Sequence, residues 1–464
     1  MLASFKKYVG QIRLDFWTVV KIVVIAILAL FLIYPFSSLI YRSFFNAEVQ
    51  GFTLQNYKDF FTLPYYYNTL KNSLYVCVVT TVITICLGVP LAYVMTRYNI
   101  YGKKLINIFI IMSLMSPPFI GAYSWIMLFG RSGFITQLVE EIGITMPPIY
   151  GKLGIIMVFV MKLFPYIYLY VSGAMSSIDR SLEEAAENLG ASKWRRLRTI
   201  TLPVVLPSIA AGAIPVYLLT LVAILPQIVV IVTSFINTNG PIFVKGFGLE
   251  SYKNIWYRLS SNITNTYLFA TVAIVIIIIM GMLISYIAVR QKGKVGVAMD
   301  LLIMFPYVIP GAVLGIGLLT AFNNPPLLLT GTPFIMIAAY VVRKLPYTVR
   351  SGSAFLQQVD PSIEEASINL GVSPRRTFFK ITARMMLPGI CSGAILSWIA
   401  CINELSSSIM LYTGKTSTIS VAIYTEVVRN SFGTGAALAS ILTMTTVVSL
   451  LIFMKLSKGK VSII

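Results

Sequence analysis

Apolar runs of about 20 residues alternate with short polar or charged segments along the whole chain, and runs of that length read as membrane-spanning helices. Ten are predicted, over residues 19–41, 68–96, 105–129, 153–176, 208–235, 265–290, 299–322, 333–356, 389–412 and 433–455. The first follows a short stretch in which Leu2, Phe5, Val9, Ile12 and Phe16 recur at helical spacing. Residues 1–18 therefore read as an amphipathic cytoplasmic leader lying on the membrane surface, or as a plain linker. The run from Val19 to Tyr41 is long enough to span and no small-residue cleavage site follows it, so it reads as a retained span rather than a signal peptide.

Composition agrees with the pattern. Of 464 residues, 57% are hydrophobic and 11% charged. This is the balance of an all-α polytopic integral membrane protein, with the lipid bilayer as its surroundings. The net charge of +20 could point to nucleic acid, but its placement argues against that. The basic clusters Arg97/Lys103/Lys104, Arg180/Lys193/Arg195/Arg196/Arg198, Arg290/Lys292/Lys294 and Arg375/Arg376/Lys380/Arg384 all fall on one side of the ten-span topology. An excess of Lys and Arg in short loops on one side marks the cytoplasm. Both termini are then cytoplasmic, and no nucleic-acid partner is implied. There is no histidine, and Cys77, Cys86, Cys391 and Cys401 all lie in apolar runs without metal-ligand spacing. No metal site and no catalytic constellation is legible.

The chain is also a repeat. Asn72–Pro117 aligns with Asn265–Pro310, matching Gly88 to Gly281, Tyr93 to Tyr286 and Arg97 to Arg290. Lys162-Leu-Phe-Pro165-Tyr166 aligns with Arg343-Lys-Leu-Pro346-Tyr347. Upstream, Gly51–Tyr57 aligns with Gly246–Tyr252, and Pro35 with Ser43-Phe44 aligns with Pro226 with Ser234-Phe235.

Two cytoplasmic segments complete the repeat. One reads Ser181-Leu-Glu-Glu-Ala-Ala-Glu-Asn-Leu-Gly190 and continues to Ile200-Thr-Leu-Pro203; the other reads Ser362-Ile-Glu-Glu-Ala-Ser-Ile-Asn-Leu-Gly371 and continues to Ile381-Thr382. Ser181/Glu184 and Ser362/Glu365 have capping-box spacing, with Asp360-Pro361 a competing start for the second helix. Gly190 and Gly371 suit the left-handed corner that ends a helix, and Ser192 and Ser373 can cap the next one.

These segments, 179–203 and 360–384, resemble the EAA loop of ABC-importer permeases, E-A-A, three residues, G, nine residues, I-x-L-P. The first fits at Glu184, Ala185, Ala186, Gly190, Ile200, Leu202 and Pro203. The second keeps Glu365, Ala366, Gly371 and Ile381, but has Ser367 for the second Ala and Ala383-Arg384 for Leu-Pro. The resemblance implies a type I ABC-importer permease fold with two pseudo-symmetric repeats in one chain. It implies a multi-pass protein of the bacterial cytoplasmic (inner) membrane that is not itself an enzyme. Its implied partners are two copies of an ABC ATPase subunit, which bind the ATP and Mg and receive the two loops, and a periplasmic or surface-tethered substrate-binding protein. No cofactor is bound by the chain itself. The segments Tyr340–Arg350, Gln357–Glu365, Asn403–Ser408 and Thr418–Tyr424 are most similar to the ferric-iron type of fused permease; thiamine and aminoethylphosphonate permeases look similar.

Fused permeases of this type usually carry twelve spans. Here too few residues separate the first EAA loop from Phe235 to hold the expected pair. The expected organisation is a first repeat over 19–207, a hybrid span over 208–235 and a second repeat over 236–464. A short helix followed by a re-entrant segment over 208–235 is the alternative.

Charged residues inside spans are functional suspects. Four are basic, Lys162, Arg343, Lys344 and Arg350, and one is acidic, Glu404. Glu404 and Arg343 read either as an ion pair fixing two helices, or with Glu404 lining a pathway and meeting a cationic substrate; the first-repeat counterpart of Glu404 is Ala223. Pro117, Pro165, Pro310 and Pro346 read as helix breaks beside the pathway, or as packing kinks. Gly414-Lys-Thr416 lacks the upstream glycine of a phosphate loop. A secondary transporter driven by an ion gradient is the rival class, but it would leave the EAA loops unexplained.

Overall fold

The computed structural model describes residues 15–46, 51–98, 100–115, 118–131, 133–147, 149–177, 213–240, 242–291 and 293–456. The leader up to residue 14, the first EAA loop with Glu184, Ala185, Ala186 and Gly190, and Pro117 lie outside these residues.

In chain order the elements are α1 (Phe16–Ser43), a hairpin of β1 (Phe45–Asn46) and β2 (Gly51–Phe52), α2 (Gln55–Thr62), α3 (Pro64–Arg97), α4 (Lys103–Met115), α5 (Pro118–Phe129), α6 (Phe134–Glu141), α7 (Lys152–Ser177) and α8 (Ala213–Phe235). A second hairpin, β3 (Ile236–Asn239) and β4 (Ile242–Phe247), follows, then α9 (Glu250–Arg258), α10 (Ser260–Arg290), α11 (Lys294–Val308), α12 (Gly311–Ala321), α13 (Pro333–Gln357), α14 (Ser362–Asn369), α15 (Pro374–Ile402), α16 (Ser408–Leu411), α17 (Ile419–Val428) and α18 (Phe432–Leu456). Among the described residues, six helices are long and apolar enough to cross a membrane: α1, α3, α7, α10, α15 and α18. The pair α11–α12, bent by 107° between Val308 and Gly311, makes a seventh if it is one span. Helix α13 is long but carries Arg343, Lys344 and Arg350.

The structure corrects several helix boundaries. In the run 105–129 the described residues are helical on both sides of 116–117, as α4 and α5, and those two residues lie outside the described ones. The run 389–412 does not form one span: α15 starts earlier, at Pro374, and stops at Ile402, so Glu404 stands in a loop. Of the prolines expected to break helices, Pro310 does so, between α11 and α12. Pro165 and Pro346 do not; α7 and α13 run through them. A proline inside a helix forfeits one hydrogen bond. Pro346 is buried in close packing, which offsets that loss. Ile309 is extended because a residue before proline disfavours the helical region, and Gly311 then restarts the chain as a new helix. Helix α8 passes through Pro226 without interruption.

The chain forms two compact units that cut across the repeats. One contains residues 1–57, 254–425 and 448–461. Its centre is α10, α13 and α15, which approach closely through small residues and serine hydroxyls. Ser285 Oγ donates to the Val349 carbonyl (3.0 Å), Ser351 Oγ to the Gly389 carbonyl (2.7 Å), and Ser397 Oγ to the Lys344 carbonyl (3.0 Å). Helix α1 packs along α12 in this unit.

The other unit contains residues 58–253, 426–447 and 462–464. Here α3 packs on α7, and α8 lies along α4 and α5. Leu91, Met95, Ile110, Phe164, Tyr168 and Ala223 form its main core. Ser124 Oγ donates to the Pro226 carbonyl (2.9 Å), and Tyr123 Oη to the Phe432 carbonyl (3.0 Å).

Each unit repeats one small device. After α1, Ser43 Oγ and Tyr57 Oη are 2.7 Å apart, and Phe44 packs on the Tyr57 ring. After α8, Ser234 Oγ and Tyr252 Oη are 2.9 Å apart, and Phe235 packs on the Tyr252 ring. A hairpin and a short helix thus cap α1 and α8 in the same way, which is the physical content of the upstream repeat.

Candidate functional site

The second EAA loop is built by local chemistry. The Ser362 N–H donates to Asp360 Oδ1 (2.9 Å), and this bond holds the exposed Asp360 carboxyl below the usual carboxylate range. Pro361, with its fixed φ, leads into α14. Asp360-Pro361 is therefore the start, and Ser362 makes no capping bond; the Ser362/Glu365 capping box does not form. At the far end Gly371 takes φ +85°, the left-handed corner expected of it. The Gly371 N–H donates to the Ile368 carbonyl (2.9 Å) and the Val372 N–H to the Ser367 carbonyl (3.2 Å). Ser373 is extended and Pro374 opens α15.

The helix α14 has two faces. Inward, Glu364 accepts from Arg290 Nε (2.9 Å) and Tyr286 Oη (3.1 Å), while Arg290 Nη2 donates to the Val359 carbonyl (2.7 Å). Ser367 Oγ meets Thr377 Oγ1 at 3.0 Å and ties α14 to the start of α15. Beneath them Trp17 stacks on Tyr286 (centroids 4.4 Å), and the Phe378 ring stands edge-on to both (4.9 and 4.8 Å). Outward stand Glu365, Ala366 and Leu370, the last 84% exposed. Of the four residues expected to act together, Glu365 and Ala366 face out, Ser367 faces in, and Gly371 shapes the corner.

Sequence reasoning missed Glu364 and Arg290. The signal was present: Arg97 and Arg290 align in the repeat, and each loop carries a Glu pair, Glu183-Glu184 and Glu364-Glu365.

A second cluster of charges lies in the unit built on α10, α13 and α15. Glu404 is 4% exposed, in the loop between α15 and α16. Its Oε1 accepts from Arg343 Nη1 and from the N–H and Oγ of Ser407, each of the latter at 3.1 Å; its Oε2 accepts from Lys344 Nζ at 2.5 Å. The Arg343 guanidinium lies against the backbone of Gly311, where a side chain would collide with it and with Ser406. Glu404 is thus held by both Arg343 and Lys344, and only 4% of it is exposed. In the other unit Lys162 Nζ donates to the Leu114 carbonyl of α4 (2.7 Å). Ala223 is buried in the apolar core there. Among the described residues, no group of three or more His, Cys, Asp or Glu side chains could hold a metal ion.

The protein family described as binding-protein-dependent transport system inner membrane component matches the chain twice, over residues 84–291 and 278–462. The chain is 23% identical to the ferric transport system permease protein FbpB of Actinobacillus pleuropneumoniae, over 93% of this chain and 77% of that one. It is 28% identical to the putative 2-aminoethylphosphonate transport system permease protein PhnV of Salmonella typhimurium, over 54% of this chain and 93% of that one. It is 33% identical to the molybdenum transport system permease protein ModB of Haemophilus influenzae, over 32% of this chain and 64% of that one.

Proposed function

We propose, from the premise that this chain belongs to the family of binding-protein-dependent transport system inner membrane components, that it is a fused permease carrying both halves of an ATP-driven importer's pore. Two ABC ATPase subunits dock on its two EAA loops. A soluble or tethered external protein delivers substrate. The substrate is ferric iron, supported by the likeness to FbpB over most of the chain. The likeness to PhnV, which covers nearly all of that relative, favours 2-aminoethylphosphonate as the second reading.

The observation that carries the coupling role is the second loop. An exposed face of Glu365, Ala366 and Leu370 is mounted on a helix whose opposite face is locked by Glu364 and Arg290. Such a rigid, projecting helix can transmit a push from a partner into α10 and α15. ATP and Mg belong to that partner, so the permease performs no chemistry of its own.

Co-expression with the ATPase subunit and affinity purification of either chain is the test. A stable complex whose ATP hydrolysis rises on adding loaded binding protein supports the reading. Uptake driven by an ion gradient, without ATP, would point to a secondary transporter instead.

A further inference from the structure

Helix α13 carries three cations, Arg343, Lys344 and Arg350, and the structure accounts for them unequally. Lys344 is buried and spent on Glu404. The Arg350 side chain is half exposed and 3.2 Å from Asp300. Arg343 gives one nitrogen, Nη1, to Glu404, and its side chain keeps 20% of its surface open. Arg343 and Arg350, seven residues apart, share one face of the helix. Arg343 is about 15 Å into α13 from Pro333 at 1.5 Å per residue. A cation at that depth faces protein or water rather than lipid.

The charge balance decides what this face can receive. Glu404 takes four hydrogen bonds, from Arg343, Lys344 and Ser407 twice, and is 4% exposed. Two cations against one carboxylate leave a surplus positive charge on the open side of Arg343. A bare metal cation would be repelled there. A planar guanidinium with spare N–H donors is suited to an oxygen-rich anion.

We infer that the transported species presents an oxyanion face to Arg343, and that Arg343 rather than Glu404 is the specificity-determining residue of the path. This rests on the importer reading above and narrows its substrate: a phosphonate carries such a face itself, and a ferric ion acquires one from anionic ligands.

The test uses the full chain with its ATPase and binding protein in proteoliposomes. The probes are radioactive iron supplied with phosphate, 2-aminoethylphosphonate, and molybdate. Stimulation of ATP hydrolysis by the binding protein reads the importer function separately. If stimulation is absent, that reading fails; if it is present and none of the three probes enters, the oxyanion inference is overturned and the importer reading stands. The probe that enters separates phosphonate from ligated iron.

Three variants then assign the residue. Arg343→Gln should lower uptake about tenfold or more, with Arg343→Lys recovering part of it. Glu404→Gln frees both cations, so uptake should persist with a lower KM. The double variant Arg343→Gln/Glu404→Gln should stay as low as Arg343→Gln. If Arg343 serves only to neutralise Glu404, the double variant regains uptake; that result, or loss of uptake in Glu404→Gln alone with a folded protein, overturns the assignment.

Discussion

Replacing Glu364 by Gln should unlock the second EAA loop while leaving its exposed face chemically intact. The side chains of Glu364 and Arg290 are 10% and 13% exposed, so solvent screens their pair weakly. Removing one partner of a fully buried pair costs about 3–5 kcal/mol. Here the loss is smaller, because Arg290 keeps its bond to the Val359 carbonyl and Gln can still accept from Tyr286. One charge-assisted hydrogen bond is then lost, about 2 kcal/mol. That corresponds to a shift of about 30-fold in the balance between seated and released α14. Hydrogen exchange reads this balance directly, since amides in a locally opening element exchange in proportion to the open population. Amides of residues 362–369 should exchange about 30-fold faster in Glu364→Gln, with α3 unchanged. Adding Arg290→Gln should recover part of the loss by removing the unpaired charge, giving a coupling energy of about 1 kcal/mol or more. Exchange within about twofold of wild type, or strict additivity of the two substitutions, would refute the lock.

Gly371→Val places a β-branched residue at φ +85° and should cost about 1–2 kcal/mol at the corner; binding-protein-stimulated ATP hydrolysis should fall while membrane insertion is preserved. Gly311→Val drives a side chain into the Arg343 guanidinium and should lower thermal stability in detergent by about 1–3 kcal/mol, whereas Gly293→Val, with open space around it, should not. Topology is tested by single cysteines in a cysteine-free background: Leu249→Cys should react with an impermeant thiol reagent added outside and Val297→Cys should not, both side chains being more than half exposed. Protection of Leu249→Cys until the membrane is opened would rule out a single crossing by α8.

What the sequence disclosed and what it hid differ in physical kind. The apolar runs, the basic loops and the doubled EAA loop depend on local pattern, and α1, α3, α7, α10 and α18 lie where the pattern predicted them. The Gly371 corner follows from the one residue type that tolerates positive φ. Proline was misread because its effect depends on surroundings. Pro346 sits in tight packing and Pro310 stands before a glycine-rich restart, though both look alike as letters. Glu404 was misplaced because α15 stops at Ile402, where Asn403 Nδ2 donates back to the Ile399 carbonyl and Ser407 donates to the Glu404 carboxylate. Once on a loop, the carboxylate reaches Lys344 as well as Arg343, the partner the sequence suggested. The Glu364–Arg290 lock was hidden because a Glu pair at a helix start looks like dipole complementation until one member turns inward.

The interlacing of the two compact units bears on the order in which the protein is made. Synthesis runs from the N-terminal to the C-terminal side, but the unit built mainly from the first repeat includes residues 426–447. Its helices α3, α4, α5, α7 and α8 are synthesised long before α18 leaves the ribosome. The unit built mainly from the second repeat needs α1, which is made well before the other helices of that unit. Neither body can close by vectorial folding alone, because each borrows a wall from the far end of the message. The unit built mainly from the first repeat is complete only once residues 426–447 have been made, so a chain cut short before residue 426 lacks part of that unit.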